Sequence, residues 1–251
     1  MLDSNVPTKI LGVIPARFAS TRFPGKALAI LDGKPILQHV FERCTQAKYL
    51  SNVVIATDDD RIADAARSFG APVRMTRSDH ASGSDRVAEV ASAEDCSLIV
   101  NIQGDEPLID PLAIDTAVLT LVENENVPMG TLKKRIEDPE EISNPNVVKV
   151  VTALNGDAIY FSRSPIPYHR SETEVYFKHV GLYVYQRAFL LGYSDLPVGP
   201  LESSEKLEQL RALENGYRIR VAETEYESLG VDTPEDLERV SKLMGVVRGN
   251  G

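Results

Sequence analysis

Apolar positions along this 251-residue chain fall into two alternating rhythms. Short continuous apolar runs, the mark of strands buried on both faces, take turns with segments whose apolar residues recur every three or four positions. Ile10 to Ile14 is the first run. Pro35 then opens a segment that sets Ile36, Leu37, Val40, Phe41 and Cys44 on one helical face. Val53 to Thr57 predicts a second strand. Ile62, Ala65, Ala66 and Phe69 predict a second helix closed by Gly70, and Val73 to Met75 a short third strand. A helix over Ser84 to Ala93, the strongly strand-like Leu98 to Ile102, and a helix from Pro111 carrying Ile114, Val118 and Leu121 continue the series. This alternation predicts an α/β, Rossmann-like fold: a mostly parallel central sheet with helices on both faces.

Beyond about Met129 the texture changes. Longer strand candidates, Val147 to Leu154, Ala158 to Ser162 and Tyr176 to Tyr185, are joined by proline-rich and polar stretches. Residues 129 to 200 therefore read as an inserted smaller sheet region within a single α/β domain spanning 1 to 251. Leu207, Leu210 and Leu213 predict a helix from Ser204 to Asn215 that stops at Gly216, followed by a strand at Ile219 to Ala222. Thr233, Pro234 and Asp236 supply an N-cap, an N1 proline and an N3 acid for the last helix.

Composition narrows the function. The chain carries a net charge of -10, with 43% hydrophobic and 25% charged residues, ordinary values for a globular protein. No apolar run approaches the roughly 20 residues of a membrane span, and Met1 to Lys9 has no signal-peptide core, so a cytoplasmic protein is expected. Cys44 and Cys96 form no disulfide framework, and the histidines show no zinc-binding spacing. The absence of a long basic stripe argues against a nucleic-acid partner.

Against this acidic background the stretch from Ile14 to Lys26 stands apart. No Asp or Glu occurs between Ser4 and Leu31, although the chain has 37 of them. Directly after the first strand come Arg17, Arg22 and Lys26, the hydroxyls of Ser20 and Thr21, and the turn formers Pro15, Pro24 and Gly25. That mixture suits a polyphosphate. Taken alone it also suits an ordinary solvated basic loop.

Ligands of open α/β sheets bind beyond the carboxyl ends of strands, so two further clusters carry weight. Gln103-Gly104-Asp105-Glu106-Pro107 follows the strand at Leu98 to Ile102, and Gly230-Val231-Asp232-Thr233-Pro234 precedes the last helix. Asp105 and Asp232 are the candidate Mg²⁺ ligands, since Mg²⁺ prefers one or two carboxylates plus substrate oxygens. Individually, Asp105 could belong to a plain turn and Asp232 to a helix cap. No GxxxxGK[ST] and no GxGxxG after the first strand is present, which excludes P-loop and dinucleotide signatures.

These residues carry a resemblance. Ile14 to Lys26, Ala56-Thr57-Asp58, Met75-Thr76-Arg77 with Ser82-Gly83 and Arg86, Gln103 to Pro107, Tyr160 to Arg163, His179 to Tyr183, Leu207 to Leu210 and Gly230 to Glu238 are together similar to the 3-deoxy-manno-octulosonate cytidylyltransferases, the CMP-Kdo synthetases. The resemblance implies a nucleotidyltransferase that couples CTP and Kdo with Mg²⁺, supplies CMP-Kdo for lipopolysaccharide biosynthesis, and works as a homodimer through the inserted sheet region. It implies that Arg17, Ser20, Thr21, Arg22 and Lys26 hold the triphosphate, with Lys26 also a catalytic cation. Thr76, Arg77, Ser82, Gly83, Arg86 and Gln103 would complete the CTP pocket. Gln103, Arg163, His179, Tyr183, Glu208 and Gln209 would face the sugar, while Asp105 and Asp232 hold the metal and take part in catalysis. On residue type alone, Arg163 and His179 equally suit surface positions, and Glu208 and Gln209 the solvated face of a helix. Another ulosonic acid (8-amino-Kdo or sialic acid) and a non-catalytic CTP-binding regulator are the competing readings.

Overall fold

The computed structural model describes residues 9–19, 22–80, 82–170 and 175–249. The strands are β1 (Ile10–Ala16), β2 (Ile30–Leu31), β3 (Lys34–Pro35), β4 (Asn52–Thr57), β5 (Val73–Met75), β6 (Leu98–Asn101), β7 (Met129–Arg135), β8 (Lys149–Thr152), β9 (Ala158–Ser162), β10 (Phe177–Gln186) and β11 (Ile219–Glu223). The helices are α1 (Ile36–Cys44), α2 (Asp60–Ser68), α3 (Gly83–Ala93), α4 (Pro111–Val122), α5 (Pro139–Ser143), α6 (Arg187–Leu191), α7 (Pro200–Glu205), α8 (Leu210–Glu214) and α9 (Pro234–Gly249).

Among the described residues, one sheet runs in the order β11-β7-β10-β6-β1-β4-β5. Every neighbouring pair on this path is parallel except those of β10, which runs antiparallel to both β6 and β7. β1 is buried almost throughout because both faces are covered, which is why its apolar run is continuous rather than alternating. On one face Ile10 and Ile14 pack with Leu37 and Val40 of α1, Ile62 of α2 and Ile114 of α4. On the other, Leu11 and Val13 pack with Val87 and Val90 of α3, Leu190 of α6 and Leu210 of α8.

The strands between residues 129 and 200 join this same sheet. β7 and β10 lie within it, and β8 and β9 form an antiparallel hairpin attached to β10. The strand order reverses at β1: the chain proceeds outward through β4 and β5, then returns to place β6 on the other side. Loops leaving the carboxyl ends of β1 and β6 therefore diverge around a crevice, the usual ligand position in such a sheet.

One expected element differs. The single helix predicted over 204 to 215 is two short helices, α7 and α8, separated by a turn in which Lys206 adopts φ 53°, ψ 47°. Lys206 N closes α7 on Glu202 O at 2.8 Å. The break is held by charge: Arg211 makes a two-pronged bond to the Glu202 carboxylate at 2.8 and 2.6 Å, and the Glu214 carboxylate accepts the Leu201 and Glu202 amides that open α7. Leucine spacing reports the burial of Leu207 and Leu210 and is silent about the turn between them.

Candidate active site

Three loops meet at the crevice. The first leaves β1 at Ala16 and turns at Gly25, whose φ of 70° suits glycine and whose amide donates to Phe18 O at 2.9 Å. A 3-10 turn over Lys26–Leu28 then points Lys26 inward. Its Nζ donates to Asp105 Oδ2 at 2.5 Å and to Asp232 Oδ1 at 2.8 Å, and Arg22 Nη2 donates to Asp232 Oδ2 at 2.9 Å. Arg17 Nη2 reaches across to His80 O at 2.7 Å and Ser82 O at 3.1 Å, fastening the loop to the start of α3. Ser20 and Thr21 lie outside the described residues.

Burial alone would lower the Lys26 ammonium, but Asp105 and Asp232 outweigh it and hold the group above the ordinary lysine range. Burial would likewise raise the Asp232 carboxyl, yet Lys26 and Arg22 hold it below the usual carboxylate range. Both of these groups are thus ionised at neutral pH.

Local structure explains why the two aspartates face the lysine. At Gly104 an added Cβ would lie 2.9 Å from Pro15 O, so glycine permits the β6 loop to lie against the end of β1. The capping role before α9 belongs to other residues: Thr233 Oγ1 accepts from Asp236 N at 3.2 Å, and Asp236 Oδ2 accepts from the Asp232 and Thr233 amides at 3.1 Å. The Asp232 carboxylate is released from capping and turns toward Lys26.

Along β4, β5 and α3 the expected CTP residues divide. Ser82 caps α3 in a reciprocal box with Asp85, and Gly83 lines the crevice next to Pro15. Arg86 is held from below and leaves its buried Nε and Nη2 without a hydrogen-bond partner among the described residues. It is fully buried, its Nη1 lies 3.1 Å from Asp58 Oδ1 and bonds Thr76 Oγ1, and so it braces the ends of β4 and β5 from beneath. Arg77 is exposed, pairs with Asp79 at 3.1 Å, and lines a surface depression with His80 and Glu89 on the outer side of α3.

Beside the crevice lies a cavity of about 210 Å³ walled by Gly83, Ser84, Asn101, Gln103, Tyr183, Tyr185, Tyr193, Glu208 and Gln209, among others. Gln103 Nε2 donates to Gly181 O at 3.3 Å, and Gln209 is 4% exposed, so the Lys206 turn carries Glu208 and Gln209 inward and excludes the solvated-face reading. Asn101 Oδ1 and Glu208 Oε1 are buried acceptors with no hydrogen-bond partner among the described residues. Burial pushes the Glu208 carboxyl and the Tyr183 and Tyr185 phenols upward, which keeps both phenols protonated as donors. Such a lining, acceptors and donors around an aromatic floor, suits a polyhydroxylated ligand.

His179 and Arg163 sit differently from one another. His179 packs edge-on to Phe161, with ring centroids 5.0 Å apart, and 5.3 Å from Tyr183; its Nε2 lies 2.9 Å from Thr131 Oγ1. Burial pushes it down to about 3, so it is a neutral hydrogen-bonding group. Arg163 does not line this cavity: its Nε donates to Glu205 O at 2.8 Å and its Nη1 to Pro145 O at 2.9 Å, bracing the end of α7. Ser84, Asn101, Tyr185 and Tyr193 were not singled out from sequence. Tyr183 and Tyr185 share a face by period-two alternation on β10, which is the signal that could have found the second of them.

Comparison with known proteins decides the family. The cytidylyltransferase family profile matches residues 11–219. A 3-deoxy-manno-octulosonate cytidylyltransferase of Solibacter usitatus is 72% identical over 98% of this chain and 99% of its own length. The chain belongs to the 3-deoxy-manno-octulosonate cytidylyltransferase family. Another family member, from Geobacter sulfurreducens, is 58% identical over 92% of this chain and 97% of its own. A solved structure of CMP:2-keto-3-deoxy-manno-octonic acid synthetase complexed with CTP matches with a TM-score of 0.92 and 44% identity, covering 95% of this chain and 99% of that one. A 4-diphosphocytidyl-2C-methyl-D-erythritol synthase from Anaerococcus prevotii, 13% identical with a TM-score of 0.63 over 94% of this chain and 99% of its own, shares the fold. The protein is accordingly a nucleotidyltransferase, and no described helix is long and apolar enough to cross a membrane.

Proposed function

We propose that the chain transfers the cytidylyl group of CTP to the anomeric hydroxyl of Kdo, releasing pyrophosphate and forming CMP-Kdo. The convergence of Lys26, Asp105 and Asp232 at the point where the strand order reverses is the observation that carries this reading. The adjoining cavity, with its three tyrosines and two unpartnered acceptors, is the place for the sugar acid.

Among the described residues no three or more His, Cys, Asp or Glu side chains are grouped so that they could hold a metal by themselves. The two carboxylates nevertheless fit Mg²⁺: hard oxygens from separate loops converge on one cationic point, leaving the remaining positions to phosphate oxygens and water. Bound there, Mg²⁺ would neutralise charge on the phosphates and lower the cost of in-line displacement at the α-phosphorus. Lys26 and Arg22 bind the triphosphate and stabilise the charge that passes to the departing pyrophosphate. Tyr183, Glu208 and Gln209 orient the sugar, with neutral His179 behind them, so that its hydroxyl oxygen attacks phosphorus, the bond to the β-phosphate oxygen breaks, and the hydroxyl proton is released. No protein nucleophile enters the reaction.

Pairing of the 129–200 region in a homodimer belongs to the same proposal, supported by the exposed Leu154 and Ile159 on the β8–β9 hairpin. A cytoplasmic enzyme drawing on free CTP and feeding lipopolysaccharide assembly is the matching setting. Pyrophosphate release, measured for each nucleoside triphosphate against Kdo, 8-amino-Kdo and sialic acid, tests the assignment. CTP with Kdo should give the largest kcat/KM; release with no acceptor pair would leave a binding regulator, and a preference for another acid would move the sugar assignment.

A further inference from the structure

We propose that Glu106 is a positioning residue: its buried carboxylate clasps the segment carrying Asp232 to the loop carrying Asp105 and so sets how the two carboxylates face each other. The proposal rests on the reading of Asp105 and Asp232 as the metal-holding pair.

Both carboxylate oxygens of Glu106 are engaged. Oε2 accepts from Tyr226 Oη at 2.8 Å and Oε1 from Ser228 Oγ at 2.7 Å, partners 120 and 122 residues further along the chain. A third bond continues the same seam, Val231 N to Asp105 O at 2.9 Å. Glu106 is 7% exposed, Tyr226 8% and Val231 0%, while Ser228 is half-buried, so the Tyr226 end of the seam is shielded from water. Asp105 and Asp232 each adjoin one end of it, and neither can shift without stretching one of these three bonds.

Stability is a poor explanation for a carboxylate at this place. Among the described residues Glu106 has two hydroxyl donors and no cation among its bonded partners. Replacing buried charge by well-packed apolar groups is often neutral or stabilising, whereas a two-oxygen acceptor fixes two separate donors in one geometry. Partners that orient metal ligands in this way typically alter metal affinity or activity about 10–100-fold when removed.

The test compares the full chain with Glu106→Leu, Glu106→Gln and the double variant Tyr226→Phe/Ser228→Ala, with Asp105→Asn as control. Mn²⁺ binding is read from the loss of the free-ion EPR signal, hydrogen exchange is followed at the Val231 amide, and kcat and KM for CTP are measured separately. Glu106→Leu should weaken Mn²⁺ binding and lower kcat by about 10–100-fold, speed Val231 exchange, and leave KM for CTP within about threefold. Glu106→Gln, which keeps an acceptor and a polar partner for Ser228, should recover most of the loss. Should Glu106→Leu not fold, the double variant decides by the same measures. Mn²⁺ binding and kcat within about twofold of the parent, while Asp105→Asn loses Mn²⁺, overturn the clasp alone; unchanged binding in Asp105→Asn as well overturns the metal reading and the role of the clasp with it.

Discussion

Lys26 Nζ stands 2.8 Å from Asp232 Oδ1 across 206 residues of chain, and 2.5 Å from Asp105 Oδ2. A single ammonium thus gathers the loops that follow β1 and β6 and the one that precedes α9. The charge arrangement is mixed, two carboxylates among cations, which suits an anionic substrate that arrives with a divalent ion better than one that arrives alone.

Lys26→Ala should weaken CTP binding and lower kcat by about 10²–10³-fold, the usual cost of losing one preorganised donor to developing phosphate charge. Isothermal titration with CTP, followed by steady-state kinetics, separates the two effects. Unchanged CTP affinity would remove Lys26 from the phosphate site.

Asp105→Asn keeps the size of the side chain and loses its charge. Under the proposed function turnover should collapse while the fold and CTP binding persist, because the ligand charge would serve the metal and not the nucleotide's own contacts. An Asp105→Asn enzyme with near-parent activity in Mg²⁺ contradicts the assignment.

His179 predicts a pH signature in stability. Burial holds the folded imidazole at about 3, below its ordinary value near 6.5, so the unfolded chain binds the extra proton between these limits. Its contribution therefore falls as pH drops from about 6.5 toward 3 and is constant above. His179→Gln should flatten the pH dependence of the thermal midpoint over that window relative to the parent; equal slopes would refute the burial effect.

Gly104→Ala should destabilise the chain by about 1–3 kcal/mol, since the added methyl meets the Pro15 carbonyl oxygen at 2.9 Å and backbone must move to admit it. The displacement falls on Asp105, so kcat should drop more than the melting temperature suggests. Loss of stability with full activity would separate the close approach from the geometry of the site.

How far the sequence could be read depended on whether the signal was local. The apolar run of β1, the glycine after α2 and the Thr233–Asp236 cap each act over a few residues, and each appears where expected. The turn at Lys206 has no such signature, because a lysine at positive φ is chosen by Glu202, Arg211 and Glu214 rather than by its neighbours in sequence. Arg86 and Arg163 show the same gap at the level of roles. Both have the chemistry of an anion contact, but Asp58 and Thr76 hold Nη1 of the first, and the carbonyls of Glu205 and Pro145 hold the second. Only tertiary structure distinguishes a cation that meets substrate from one that braces backbone.

The reversed direction of β10 has a consequence for how this fold can diversify. Tyr183 lies opposite Asn101, the last residue of β6, so the earlier residues of β10, Phe177 to Val180, overshoot β6 and pair instead with β7 on one edge and, at Lys178, with β8 on the other. This overhang is a shelf beyond the end of β6, and the β8–β9 hairpin hangs from it. Under the proposed function, changing the length or side chains of the shelf and hairpin would retune which acid is accepted, while the loops after β1 and β6 would keep their hold on the triphosphate.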